Sequence, residues 1–410
     1  MGFLSDRSKC AVNPIEIEDV VTEEMVKEGR KVISLNRGDP AKYIPTPKYI
    51  VDAYIKALEE GRTGYSKAEG INELSDAIAG RYKRMHKLNL HREDIIVTAG
   101  VSEALLMLNS ALINPGDSAI LFKPYYPPYM AELRINDGNA VMERYDENDN
   151  WNVHTESLRR SLAVLKKANK LKRVKYMIVT NPNNPTGTVL RRQVLEEIVD
   201  IANQYGLFLI SDEIYDEIIY NRAKFTSLSE LAEGMPHAVF NGVSKDYDST
   251  GFRLGYVIVP EDDERSMAFK KKMVQYAQVR ISLNTPAQWA AAESMNNLKE
   301  HNKAMKYYVD EIESRVNFAC DLLDENPYME TVRPNGAYYI FPKVDLKSLH
   351  FKSDFQFVDT LLKKEGVQIV WGSGFGEPSH VRIVSLAPKD ILEHAINKIN
   401  SFCAKSAKSV

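Results

Sequence analysis

Cysteine is scarce in this chain and forms no pattern: Cys10, Cys320 and Cys403 are odd in number, widely spaced and outside any CxxC pair. That excludes a disulfide framework and a zinc cluster, and it suits a reducing compartment, the cytoplasm. No run approaches about 18 continuous apolar residues, so no membrane-spanning segment is expected. Met1-Gly2-Phe3-Leu4-Ser5-Asp6-Arg7 turns polar within a few residues and lacks the apolar core of a signal peptide. Neither sign of charge is in surplus. A formal net charge of −3 leaves nothing to neutralise a phosphodiester backbone, which argues against nucleic acid as a partner. Internal repeats are lacking, and low complexity is confined to a short Ser/Lys-rich tail. What is present, 44% hydrophobic and 27% charged residues over 410 positions, is an ordinary globular composition with room for two domains.

Seven short apolar runs rich in β-branched residues, 94–98, 118–122, 140–145, 176–180, 207–211, 238–243 and 255–259, alternate with amphipathic segments such as 103–113 and 191–205. That alternation predicts an α/β domain with a mostly parallel seven-stranded sheet flanked by helices. Ligands on such sheets bind beyond the carboxyl ends of the strands. From about residue 300 a long charged amphipathic stretch, a helical pattern at 354–364 and a final helix from 389 indicate a smaller α+β domain. Val32-Ile33-Ser34-Leu35 would supply it with an edge strand, and Asn36-Arg37-Gly38-Asp39-Pro40 a turn pointing back to the cleft. The expected division is an N-terminal arm joining the small domain at 1–45, a large cofactor-binding domain at 46–300 and a small C-terminal domain at 301–410.

The chemistry gathers at the predicted strand ends. Lys245 follows the run 238–243 and precedes Arg253 by eight residues. A lysine can hold an aldehyde cofactor as a Schiff base, and an arginine can grip a phosphate through two parallel charge-assisted bonds. Pyridoxal 5′-phosphate needs both. Most lysines are solvated surface charges, but burial here would lower the amine below its usual value of about 10.4 and fit it as a general base. Arg253 and the Ser244 hydroxyl are candidates for the phosphate; the plain alternative is a surface arginine in a Gly-flanked turn. Val97-Thr98-Ala99-Gly100-Val101-Ser102-Glu103-Ala104 reads as a strand turning into a helix whose free N–H groups attract anions, or simply as a helix start N-capped by Ser102. Asp212, at the end of 207–211, would keep a pyridine nitrogen protonated, with Tyr215 and Asn184 on the ring's phenolic oxygen. Read plainly, Asp212 is a helix cap, Tyr215 core packing, and Asn181-Pro182-Asn183-Asn184-Pro185-Thr186-Gly187 turn chemistry. Of three tyrosines in Pro124-Tyr125-Tyr126-Pro127-Pro128-Tyr129, Tyr126 is the choice to stack on the ring. Arg382, alternating with apolar neighbours, would capture a substrate carboxylate or else form a structural salt bridge.

With these motifs the chain resembles class I aminotransferases of fold type I, most similar to the prokaryotic alanine and aspartate aminotransferase subgroup. Leu35 to Pro40, Gly64-Tyr65-Ser66, Gly336-Ala337-Tyr338-Tyr339 and Gly372-Ser373-Gly374-Phe375-Gly376 add to the resemblance. It implies Lys245 as the cofactor-bound lysine, Asp212 at the pyridine nitrogen, Asn184 and Tyr215 at the phenolic oxygen, and Tyr126 on the ring. It further implies Gly100, Val101, Ser102, Ser244 and Arg253 around the phosphate, and Arg382, Asn184 and the backbone of Gly38 on the substrate. Tyr65 sits where this family takes a tyrosine from a partner subunit, implying a homodimer with shared sites. Three positions depart from the pattern. Gly242 replaces a phosphate-touching serine, Ser75 replaces an arginine on what reads as a helix surface, and Arg37 either favours a dicarboxylic substrate or points to solvent. The expected activity is ping-pong transfer of an amino group from an L-amino acid, alanine or aspartate, to a 2-oxo acid such as 2-oxoglutarate. The alternatives are a β-lyase or another enzyme on the same scaffold, and a non-catalytic cofactor-binding regulator.

Overall fold

The computed structural model describes residue 3, residues 5–260 and residues 263–408. Met1, Gly2 and Leu4 of the opening segment and the last two residues of the tail lie outside the described residues. Fifteen strands are present among the described residues, and eight of them form the central sheet: β2 (Ile95–Thr98), β3 (Ser118–Lys123), β4 (Asn139–Asp146), β5 (Asn152–Val153), β6 (Val174–Thr180), β7 (Phe208–Asp212), β8 (His237–Gly242) and β9 (Gly255–Ile258). Their order is β2-β9-β8-β7-β6-β3-β4-β5. The ladders from β8 through β4 are parallel, β9 is antiparallel to both neighbours, and β5 pairs antiparallel with the outer edge of β4. The sheet therefore has one strand more than the sequence predicts. β5 is two residues long, too short to give an alternation signal.

β7 and β8 are buried along their whole length, and β6 at every position but Lys175, because helices cover both faces of the sheet. Twelve helices are described: α1 (Pro14–Lys27), α2 (Lys48–Glu59), α3 (Asn72–His86), α4 (Gly100–Leu112), α5 (Pro127–Ile135), α6 (Thr155–Lys167), α7 (Arg192–Tyr205), α8 (Glu264–Arg280), α9 (Thr285–Asn296), α10 (Leu298–Asp324), α11 (Asp354–Glu365) and α12 (Lys389–Ala407). One buried cluster, with Phe208, Phe240 and Phe269, lies between the sheet and α4 and α8; another, with Leu195 and Ile198 of α7, continues into the C-terminal layer. Local signals set the helix ends. α9 is capped by the Asn284 side chain with a proline in its first turn, and α7 stops at Gly206 in the left-handed region, φ 64°.

The remaining strands build the smaller layer. β1 (Ile33–Ser34) pairs parallel with β13 (Val367–Gln368), so the N-terminal segment joins the C-terminal layer. β10 (Met329–Glu330) pairs with β12 (Lys343–Val344), and β11 (Tyr339–Ile340) and β14 (Val370–Trp371) flank β15 (Val381–Val384), all antiparallel. α10, α11 and α12 pack around these strands. Among the described residues no helix is long and apolar enough to cross a membrane.

Candidate active site

The parallel sheet brings distant segments to one edge. β7 ends on Asp212, β8 is followed by Ser244 and Lys245, β6 by the loop bearing Asn184, β3 by Tyr126 and β2 by Gly100. Because β9 runs the opposite way, Arg253, which precedes it, arrives at the same edge. Every residue expected to touch cofactor or substrate, except Tyr65, lines one cavity of about 370 Å³ there.

The Lys245 ammonium donates to the Gly38 carbonyl at 2.6 Å and stands 5.9 Å from the Tyr338 ring centroid. Burial, reinforced by Arg253 and Arg382 and opposed by Asp39, brings the amine down to about 8. Asp212 is 3% exposed and accepts a 2.5 Å bond from the Tyr129 hydroxyl and one from the Ile214 N–H at 3.3 Å. Burial pushes its carboxyl up to about 6. No helix starts at Asp212, so the capping alternative fails. The Tyr215 hydroxyl lies 2.8 Å from that of Tyr339. Tyr126 packs edge-on against Tyr129, with ring centroids 5.5 Å apart.

On the sheet side, α4 begins at Gly100, φ +76°, after Ala99, and has no side-chain cap; Ser102 lies inside the first turn and is not the N-cap. The first N–H groups of α4 thus open toward the cavity without a capping oxygen. A Cβ on Gly100 would come within 2.8 Å of the Arg253 guanidinium, and one on Gly255 within 2.7 Å of the Gly100 Cα. Only glycine lets the turn, the strand and Arg253 close on one another. Arg253 donates to the Thr250 carbonyl at 3.0 Å and forms no ion pair among the described residues.

Arg382 is the largest fully buried side chain, 1% exposed, with the Tyr339 and Phe375 ring centroids each 4.9 Å from its guanidinium carbon. It donates to the Asn184 side-chain oxygen at 3.1 Å and the Asn36 carbonyl at 2.6 Å, and its Nε has no partner. No carboxylate pairs with it among the described residues, so the structural salt bridge is not what holds it. Gly38 leaves no room for a side chain, because Tyr338 and Tyr339 crowd its Cα.

The three departures resolve as follows. A Cβ on Gly242 would lie 2.8 Å from the Leu254 carbonyl and 2.9 Å from the Gly255 Cα, so glycine is imposed by the β8–β9 approach. Ser75 is 5% exposed, buried within α3 rather than on a helix surface. Arg37 neither reaches freely for a ligand nor simply points to solvent: it is paired with Glu16 and Asp19 of α1, and it lines the cavity beside Glu16. Tyr65 is 88% exposed and stands outside the cavity.

Tyr129, Thr180, Thr250 and Tyr339 line the cavity too and were not assigned by sequence reasoning. Tyr129 links Asp212 to Thr180, 2.8 Å from the Thr180 hydroxyl, while the Thr250 hydroxyl donates to Asp39 at 2.8 Å. The donor set fits pyridoxal 5′-phosphate: an amine near neutrality, a buried carboxyl, an uncapped helix start beside an unpaired arginine, and a second buried arginine with a free N–H.

A family model described as aminotransferase class I and II matches residues 30–399. The chain is 32% identical over 411 residues to the asparagine–oxo-acid transaminase of Streptococcus mutans, covering 97% of this chain and 100% of that one. It is 33% identical to the glutamate-pyruvate aminotransferase AlaA of Haemophilus influenzae, covering 95% and 94%. The solved alanine aminotransferase from Pyrococcus furiosus superposes with a TM-score of 0.92 at 35% identity, covering 98% of this chain and 100% of that one. A sheet edge that assembles these groups and a match spanning nearly the whole sequence lead to one conclusion: the chain belongs to the class I and II aminotransferases and is a pyridoxal 5′-phosphate-dependent aminotransferase of fold type I.

Proposed function

We propose that this enzyme exchanges the amino group of L-alanine with 2-oxoglutarate, using Lys245 as the cofactor-bearing lysine and Arg382 as the clamp on the substrate α-carboxylate. The observation that carries the reading is Arg382: a buried guanidinium without a carboxylate partner, its Nε free, in the cavity that also holds Lys245. A desolvated, unpaired cation is costly, and a planar carboxylate offers it two charge-assisted bonds. When bound, pyridoxal 5′-phosphate accepts the amino group and draws off the electrons freed at the substrate α-carbon.

The chain's own residues do the rest. In this reading Arg253, Ser244 and the first turn of α4, Gly100 to Ser102, hold the phosphate. Asp212, steadied by Tyr129, would face the pyridine nitrogen, Tyr126 would cover the ring, and Asn184 and Tyr215 would meet the phenolic oxygen. Lys245 moves the proton at the α-carbon, a role that typically contributes roughly 10²- to 10⁴-fold. Arg382, Asn184 and the Gly38 backbone orient the substrate.

Arg37 supports alanine ahead of aspartate, because Glu16 and Asp19 already occupy the guanidinium that a distal carboxylate would need. The 2-oxoglutarate tail would have to compete with Glu16 for it. The name of the Haemophilus influenzae protein, a glutamate-pyruvate aminotransferase, gives the same exchange read in reverse, and that of the Pyrococcus furiosus protein favours alanine.

The proposed assembly is a homodimer, and Tyr65 supports it. Its ring is 88% exposed, and the Ser66 N–H next to it donates to the Ser282 hydroxyl at 3.0 Å, which brings this segment to the end of α8, where Val279 and Ile281 are 82% and 57% exposed. We also propose the division at 1–45, 46–300 and 301–410, and a cytoplasmic location in keeping with three free thiols. The test is a half-reaction. Cofactor-loaded enzyme mixed with alanine and no acceptor should release one pyruvate per site and stop. Continuous pyruvate and ammonia would overturn transamination, and a faster half-reaction with aspartate than with alanine at equal concentration would overturn alanine.

A further inference from the structure

Directly behind the Lys245 segment lies a buried ionic cluster that no step above uses. Arg81 of α3, 2% exposed, commits its whole guanidinium there. It holds Asp216 through two parallel bonds of 2.9 and 2.7 Å, Glu217 through bonds of 3.1 and 2.8 Å, and Asp246 at 3.4 Å. His86 stands 3.8 Å from Asp216, and His301 is 3.0 Å from Glu217. Although burial opposes it, Arg81 holds Asp216 well below the usual carboxylate range, while burial and the Asp216 charge push Asp246 well above it. Of the acid pair, Asp246 is thus the member that holds its proton more tightly.

Position makes this more than a stabilising cluster. Asp216 follows Tyr215 and Asp246 follows Lys245, and both preceding residues line the active-site cavity. The β7–β8 ladder ends at the bond from the Glu213 N–H to the Phe240 carbonyl, 2.9 Å, short of both of them. Arg81 reaches across where the ladder has stopped. Well-packed apolar residues are commonly as stabilising as a buried ion group, so stability alone does not account for this one, and the geometry it fixes is the further effect to test.

We propose that Arg81 is a positioning residue for the reaction, clamping Asp216 and Asp246 so that the Tyr215 hydroxyl and the Lys245 amine keep a fixed separation. The inference rests on the reading that places Tyr215 and Lys245 on the cofactor. A lysine at 81 would keep the charge but lose the planar fork.

The test is a double-mutant cycle on the cofactor-loaded enzyme, reading the pH midpoint of the cofactor's absorbance together with kcat and KM. Arg81→Lys should move the midpoint in the same direction as Tyr215→Phe and lower kcat about tenfold, with KM within about twofold. The double variant should go no further than Tyr215→Phe alone. Additive effects, or a silent midpoint in Arg81→Lys while Tyr215→Phe shifts it, would overturn the inference and leave the site reading intact. A silent Tyr215→Phe would overturn the site reading and this inference with it. If Arg81→Lys does not retain cofactor, Asp246→Leu must reproduce the shift and Asp246→Asn, which keeps a donor toward Asp216, must not; equal behaviour of the two would overturn the proposal.

Discussion

Two arginines line the same cavity under opposite conditions. Arg382 is buried, flanked by two rings and free of any acidic partner among the described residues; Arg37 has a half-exposed side chain and is paired with Glu16 and Asp19. The contrast separates what a fold needs from what a reaction needs. Exposed ion pairs contribute about 0–1 kcal/mol, so Arg37 is cheap to hold and cheap to lose. A desolvated guanidinium held only by neutral oxygens destabilises the empty protein, and its presence is accounted for by an anionic ligand.

The sharpest way to break the contrast is Arg382→Met. It should lower kcat/KM for alanine about ten- to hundredfold, the range expected from losing one charge-assisted pair, yet leave Tm unchanged or higher. Loss of stability together with activity would show that Arg382 is structural. Gly242→Ser should be next, destabilising by about 1–3 kcal/mol in urea unfolding, because its Cβ meets the Leu254 carbonyl and Gly255 backbone. Normal stability in that variant would mean β8 and β9 separate easily.

Acid should act through Asp212. Its free carboxyl titrates at about 6, so it is charged above that pH and neutral below it, where it can no longer pair with a protonated pyridine nitrogen. Cofactor affinity should therefore fall about tenfold per pH unit below about 6, by one-proton linkage. Asp212→Asn should bind weakly at every pH and lose the slope; a slope that persists in it would assign the titration elsewhere. Arg37→Gln should be mildest, within about 1 kcal/mol in stability and changing the preference between monocarboxylic and dicarboxylic substrates more than the alanine rate. An unchanged preference would remove Arg37 from substrate choice.

The sequence disclosed the architecture well because parallel strands announce themselves as apolar runs, and all seven runs are strands. β5 escaped because two residues cannot show a period. Asp212 and Lys245 were legible because a strand's end fixes where the next side chain emerges. Tyr129 was not, because three tyrosines in one short loop look alike until the helix phase is known: Tyr126 precedes α5, whereas Tyr129 lies inside it and reaches Asp212. The partners of Arg37 were hidden for a related reason. They sit on α1, which the sequence reading did not distinguish from the rest of the arm. Arg81 depends on three segments meeting beneath the sheet edge, a contact no local pattern encodes.

The most direct measurement is the site of covalent cofactor attachment. Borohydride reduction of the loaded enzyme, followed by peptide mass spectrometry, should place the reduced pyridoxyl group on Lys245 alone. Attachment to another lysine, or to none, would contradict the account.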